Sequence, residues 1–151
     1  FQEQLTQLVS NFHEQGQAFS LLVIDIDYFK QVNDTHGHPV GDLVLAQLGL
    51  ILKMTAREQD TVARFGGEEF VLLLGETAEV DALEIAQQLN KVVEETIWPT
   101  IGRLTVSIGC TTFKAEDTEG SVFEHADEAL YASKRNGRNC TTQYEAMRKV
   151  Q

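Results

Sequence analysis

The chain has 151 residues, 42% of them hydrophobic and 23% charged, which suits one ordinary domain and excludes a disordered one. Twelve basic residues against 23 acidic ones leave a net charge of −11, a poor balance for gripping a nucleic-acid backbone, so no nucleic-acid partner is expected. No secretory signal is recognisable, no apolar run approaches the ~20 residues of a membrane helix, and no histidine pair has zinc spacing.

Residues 1–15 predict a helix, with Leu5, Leu8, Val9 and Phe12 at helical spacing and Gly16 as its stop. The apolar run Phe19–Ile24 predicts a strand buried on both faces and ending at Asp25. Tyr28 to about Asp34 predicts a short helix, with Asp27 as its N-cap. Pro39 suits the first turn of a longer helix carrying Val44, Leu45, Leu48, Ile51 and Leu52. Thr61–Phe65 and Glu68–Leu74 are extended runs on either side of Gly66-Gly67, the signal of a hairpin. Leu83, Ile85, Ala86, Leu89, Val92, Val93 and Ile97 mark another amphipathic helix, stopped by Pro99. Ile101–Phe113 predicts a strand, and Val122, Phe123, Ala126, Leu130 and Tyr131 a helix ending at Gly137. Asn139–Tyr144 predicts a last strand. Cys110 and Cys140 form no CxxC pair and are expected as reduced, buried thiols in a cytoplasmic compartment, with a bridge between them as the alternative.

The order is a helix followed by β-α-α-β-β-α-β-α-β. It predicts an α/β (α+β) fold, ferredoxin-like or palm-like, with a mixed sheet, a hairpin at Gly66-Gly67 and helices over at least one face. Residues 1–151 are expected to form a single domain, and a chain beginning with Phe1 rather than Met is expected to be a fragment of a longer protein.

Two acids mark the hairpin. Glu68 and Glu69 lead directly into the apolar run Phe70-Val71-Leu72-Leu73-Leu74, where a solvated loop tip would not place them. With a two-residue turn, Phe65 faces Glu68 and Arg64 faces Glu69, and the two acids point to opposite faces unless local twist gathers them. Asp25 ends the first strand in the matching way. A carboxylate emerging from a buried strand is costly unless paired, hydrogen-bonded or metal-bound. Magnesium takes one or two carboxylates together with substrate phosphates, so Asp25 with Glu68, and with Glu69 beside them, is a candidate set.

The segments Asp25-Ile26-Asp27-Tyr28-Phe29-Lys30-Gln31-Val32-Asn33-Asp34, Gly37-His38-Pro39-Val40-Gly41-Asp42 and Gly66-Gly67-Glu68-Glu69-Phe70 stand in one order. Together they resemble the GGDEF family of diguanylate cyclases, in its GGEEF variant. The resemblance covers roughly Phe19 to Tyr144 and implies a palm-like βααββαβ core, nucleotidyl-cyclase-like. It also implies condensation of two GTP into cyclic di-GMP with release of two pyrophosphates.

By that resemblance Asp25, the Ile26 carbonyl and Glu68 hold magnesium, or manganese in its place, and Glu68 and Glu69 are the catalytic carboxylates. Asn33 and Asp42 stand at guanine-reading positions, with His38 in the same loop. An ionised Asp can accept from the guanine N1–H and amine, a donor pair that adenine lacks. Phe29 and Lys30, with Lys134 and Arg138, match substrate and phosphate contacts, and the basic run Lys134-Arg135-Asn136-Gly137-Arg138 is conspicuous in so acidic a chain. Arg57 and Asp60 form an RxxD set ahead of the hairpin, the family's inhibitory site for the product. The implied partners are GTP, cyclic di-GMP, a second copy of the domain as homodimer, and an upstream sensor or regulatory domain. The family's usual DxLTxLxNR-type leader is expected just ahead of Phe1. The implied location is cytoplasmic, with no membrane span in this segment. The competing reading is a catalytically silent module that binds GTP or cyclic di-GMP.

Overall fold

Eight consecutive buried residues make β1 (Phe19–Ile26) the centre of the fold. The computed structural model describes residues 1–150, with side chains through Arg148. Around β1 run α1 (Gln2–Gln15), α2 (Phe29–His36), α3 (His38–Thr55), β2 (Thr61–Phe65), β3 (Glu69–Gly75) and α4 (Glu79–Glu95). The chain continues with β4 (Val106–Thr112), α5 (Glu119–Arg135), β5 (Thr141–Gln143) and α6 (Tyr144–Val150). The sheet order is β2-β3-β1-β4-β5, with β1 antiparallel to both neighbours and β5 parallel to β4. This is the expected mixed sheet.

Strand alternation divides the core in two. Leu22, Ile24 and Ile26 pack with Phe29 and with Val44, Leu48, Leu52, Ala86, Leu89 and Val93 of α3 and α4. Phe19, Leu21 and Val23 pack on the other face with Leu5 of α1 and with Val122, Ala126 and Leu130 of α5. Helices therefore cover both faces. The α5 layer sits close to the sheet: a Cβ on Gly109 of β4 would lie 2.1 Å from the Ala126 carbonyl oxygen. Only glycine allows that approach, and it brings the far half of α5 over the end of β1.

Four expectations are corrected. Strand β1 runs past Asp25 to Ile26. Ile101 lies in a turn, because Thr100 and Gly102 have φ of 73° and 80°, and β4 begins only at Val106. Ile97 is 69% exposed, and Trp98 takes the buried place with its Nε1–H on the Val93 carbonyl. At the C-terminus Gly137, Arg138 and Asn139 all have positive φ, which delays β5 to Thr141, and Tyr144 opens a helix instead of ending a strand. Cys110 is buried and Cys140 half-buried, both free, and burial pushes the Cys110 thiol up to about 12. Among the described residues no helix is long and apolar enough to cross a membrane.

Candidate functional site

Asp25 and Glu69 stand directly opposite each other in the β1–β3 ladder. Both belong to the α5 face of the sheet, in phase with Val23 and Val71. The turn before Glu69 is longer than expected. Phe65 pairs with Glu69 and Arg64 with Phe70, so Gly66, Gly67 and Glu68 make a three-residue loop. Of the two glycines only Gly66 has positive φ, at 63°. The extra residue moves Glu68 out of the ladder and swings Glu69 onto the side of Asp25, because strand side chains alternate with period two.

Asp25 is 4% exposed. Its Oδ2 is ion-paired with the Lys134 ammonium of α5, and its Oδ1 is buried with no hydrogen-bond partner. Burial pushes the Glu68 carboxyl above the usual range, the charge of Asp25 adds to this, and Lys134 opposes it. Glu69 is also pushed up, by burial first and then by Asp127 and Asp25, again against Lys134. Asp127 of α5 is raised by burial. These acids share one cation, Lys134. Among the described residues no three His, Cys, Asp or Glu side chains are gathered as a metal cluster. The expected set nevertheless needs only two side chains, Asp25 and Glu68, because its third expected ligand is the Ile26 backbone carbonyl, the Ile26 side chain lying in the core. The orphaned Oδ1 of Asp25 is the kind of oxygen a divalent cation satisfies, so these residues fit one.

Asp27 is not an N-cap. Helix α2 starts from Tyr28 in the left-handed conformation without a side-chain cap. The Asp27 carboxylate instead accepts from Thr105 Oγ1 at 2.7 Å, Ser107 Oγ at 2.6 Å and the Asn139 N–H at 3.0 Å. It ties the end of β1 to the turn that follows α5. Arg138 sits in that turn, its guanidinium 4.0 Å from Asp27 Oδ1 and stacked over the Tyr28 ring at 4.9 Å.

On the α3 face, Asn33 of α2 lies against Gly41 of α3, where an added Cβ would meet Asn33 Oδ1 at 1.9 Å. That oxygen is buried and has no partner either. The next residue, Asp42, is exposed and helps line a cavity of about 350 Å³ between α3 and the hairpin, with Arg64 and Phe70 opposite. The two expected guanine readers thus both lie at the α2–α3 junction, Asn33 against Gly41 and Asp42 on the next residue, with His38 and Lys30 exposed nearby in sequence. Phe29 is 8% exposed and its ring is in the core, so only its backbone is left for a ligand.

Arg57 and Asp60 lie apart from this site. They sit beside Gly75 at the far end of β3 from Glu69, about 20 Å along the strand.

Four contributors are not picked out as site residues by the sequence reading. Asp27 carries a signal, its two-residue spacing from Asp25, but N-caps share it. Asp127 is one acid among several on an amphipathic helix, Thr105 is an ordinary loop residue just ahead of β4, and Ser107 is an ordinary strand residue.

The family model described as "Diguanylate cyclase, GGDEF domain" matches residues 1–140. Diguanylate cyclase A of Treponema denticola is 41% identical over 138 residues, 89% of this chain and 37% of that protein. The chain therefore spans little more than a third of the length of that curated relative. The crystal structure of the GGDEF domain of DgcB from Caulobacter crescentus, in complex with c-di-GMP, superposes with a TM-score of 0.91 at 34% identity, covering 96% of this chain and 88% of that one. The active GGEEF domain of a diguanylate cyclase from Vibrio cholerae gives a TM-score of 0.87 at 28% identity, covering 95% of each chain. With its acids paired across β1 and β3 and the family model matching residues 1–140, the chain belongs to the GGDEF domain family of diguanylate cyclases.

Proposed function

We propose that residues 1–151 are the catalytic module of a longer diguanylate cyclase, condensing two GTP into cyclic di-GMP and releasing two pyrophosphates. The observation that carries this reading is Asp25 facing Glu69 at the buried end of β1, with one Asp25 oxygen left without a partner. A domain that only bound a base would gain nothing from burying a charged oxygen beside two further carboxylates.

In this reading Asp25, the Ile26 carbonyl and Glu68 hold a magnesium ion, or manganese in its place. Such an ion neutralises phosphate charge and makes a nearby hydroxyl more acidic. Asn33 and Asp42 bind guanine beside His38. The backbone at Phe29 and Lys30 and the cations of Lys30, Lys134 and Arg138 hold the triphosphate. The 3′-oxygen of one GTP bonds to the α-phosphorus of the other, the α–β P–O bond breaks, and pyrophosphate leaves with the electron pair. Glu69 accepts the hydroxyl proton; burial and its acidic neighbours make it a stronger base than an ordinary glutamate.

Each 3′-hydroxyl attacks the partner's nucleotide, so one domain cannot close the ring and two copies must face each other. Arg57 and Asp60 serve as the product site, which requires their mutual ion pair to open. An upstream regulatory domain sets when two copies meet. Incubation with GTP and magnesium should give one cyclic di-GMP for every two pyrophosphates, read by chromatography and a phosphate-release assay. Folded protein at high concentration that yields neither product would overturn the reading.

A further inference from the structure

We infer that Lys134 is the resident counter-ion of the carboxylate site: it holds Asp25 until a nucleotide draws its ammonium away, so divalent-cation binding depends on nucleotide. The inference rests on the proposed role of Asp25 as a cation ligand.

Three observations lead to it. The Lys134 ammonium is ion-paired with Asp25 Oδ2, and the aspartate side chain is only 5% exposed. The same ammonium is the cation that opposes the charges of Glu68, Glu69 and Asp127, so four carboxylates share one positive charge. A cavity of about 240 Å³ lies beside it, walled by Glu69, Asp127, Leu130, Tyr131 and Lys134 itself.

The exchange follows from electrostatics. A divalent cation on Asp25 and an ammonium on the same carboxylate repel each other strongly at a few ångströms. Asp25 is too buried to be left bare, so something positive must sit on it at all times. Without nucleotide that charge is Lys134, and an incoming cation must displace it. A triphosphate changes the balance, because its oxygens give the ammonium a more highly charged partner. Lysine suits such an exchange because its charge rides on a flexible four-carbon stem, and the adjoining cavity gives it room to swing. Asp127 lies on the same face of α5, two turns before Lys134, and offers the displaced ammonium a second seat. The domain thereby avoids loading a cation before its substrate is present.

The test measures Mn²⁺ binding to the purified protein by electron paramagnetic resonance, with and without a non-hydrolysable GTP analogue, for wild type, Lys134→Met and Lys134→Arg. Without nucleotide, Lys134→Met should bind Mn²⁺ at least about tenfold more tightly than wild type, while Lys134→Arg keeps the weak wild-type affinity. The analogue should tighten wild type by a similar factor. Circular dichroism and thermal unfolding establish that each variant is folded. If folded Lys134→Met binds Mn²⁺ no more tightly than wild type, or not at all, the counter-ion role is overturned. The proposed function survives that result if wild type with the analogue binds Mn²⁺ and makes product from GTP. It falls with the counter-ion role if no form binds Mn²⁺ under any condition.

Discussion

Arg57 and Asp60 grip each other through two side-chain bonds, Nε to Oδ2 at 2.9 Å and Nη2 to Oδ1 at 3.0 Å. The carboxylate also accepts the backbone N–H of Arg57 at 2.9 Å and that of Gly75 at 3.2 Å, and its side chain is 1% exposed. Asp60 is therefore a brace between the α3–β2 loop and the end of β3 as well as the proposed reader of product. Replacing it tests both roles. Asp60→Ala leaves the Gly75 N–H without its acceptor and the guanidinium with only Thr77 Oγ1 and the Gly75 carbonyl, and should cost about 1–3 kcal/mol in urea unfolding. In the same variant, added cyclic di-GMP should no longer slow turnover. A variant of unchanged stability would show that the brace is absent in solution.

Glu69→Gln keeps the shape of the side chain and removes its basicity. Turnover should fall by at least about 100-fold, the ordinary scale of one positioned acid or base. Binding of cyclic di-GMP, measured by calorimetry, should be preserved, because Arg57 and Asp60 lie at the other end of β3. Undiminished turnover would remove Glu69 from the proton path.

The raised carboxyls give the cation-free protein a definite pH dependence. Glu68, Glu69 and Asp127 hold their protons more tightly folded than unfolded, where their ordinary values are 4.5, 4.5 and 3.8. The folded state therefore binds more protons between the unfolded and folded values, and stability falls as pH rises through that window. The penalty is absent below the ordinary values and complete above the raised ones. Denaturation midpoints taken from about pH 4 to about pH 8 should show this decline, and the double variant Glu69→Gln/Asp127→Asn should flatten it. Equal slopes in wild type and the double variant would contradict the assignment.

Gly41 keeps the α2–α3 junction tight enough to aim Asn33. An alanine there would push Asn33 Oδ1 from its place, since the new Cβ would lie 1.9 Å away. The obstructing atom ends a side chain that can rotate, so the fold should survive. Gly41→Ala should raise the KM for GTP by about tenfold with a smaller change in kcat, the expected size for losing about one hydrogen bond to the base. An unchanged KM would indicate that Asn33 does not touch guanine.

What the sequence makes legible is local. The apolar run ending at Asp25, the hairpin, and Pro39 at the start of α3 each declare themselves within a few residues. Asp27 cannot be read this way. Its donors lie 78, 80 and 112 residues along the chain, and an aspartate ahead of a helix is more often a cap. Asp127 depends on how α5 crosses the sheet, which the close approach at Gly109 sets and no helical periodicity reveals. The hairpin loop is one residue longer than its sequence suggests, because two glycines signal a two-residue turn whichever residues occupy its corners.

That loop separates two kinds of tolerance. A Cβ on Gly67 would meet no atom within 4 Å, and its backbone does not need the left-handed region, so folding alone accepts other residues there. Losing the residue is another matter. A deletion would leave the acidic pair spelled as before while rotating the strand by half its period, turning Glu69 away from Asp25. The loop can absorb changes of letter, whereas its count of three sets the phase of everything downstream to Gly75.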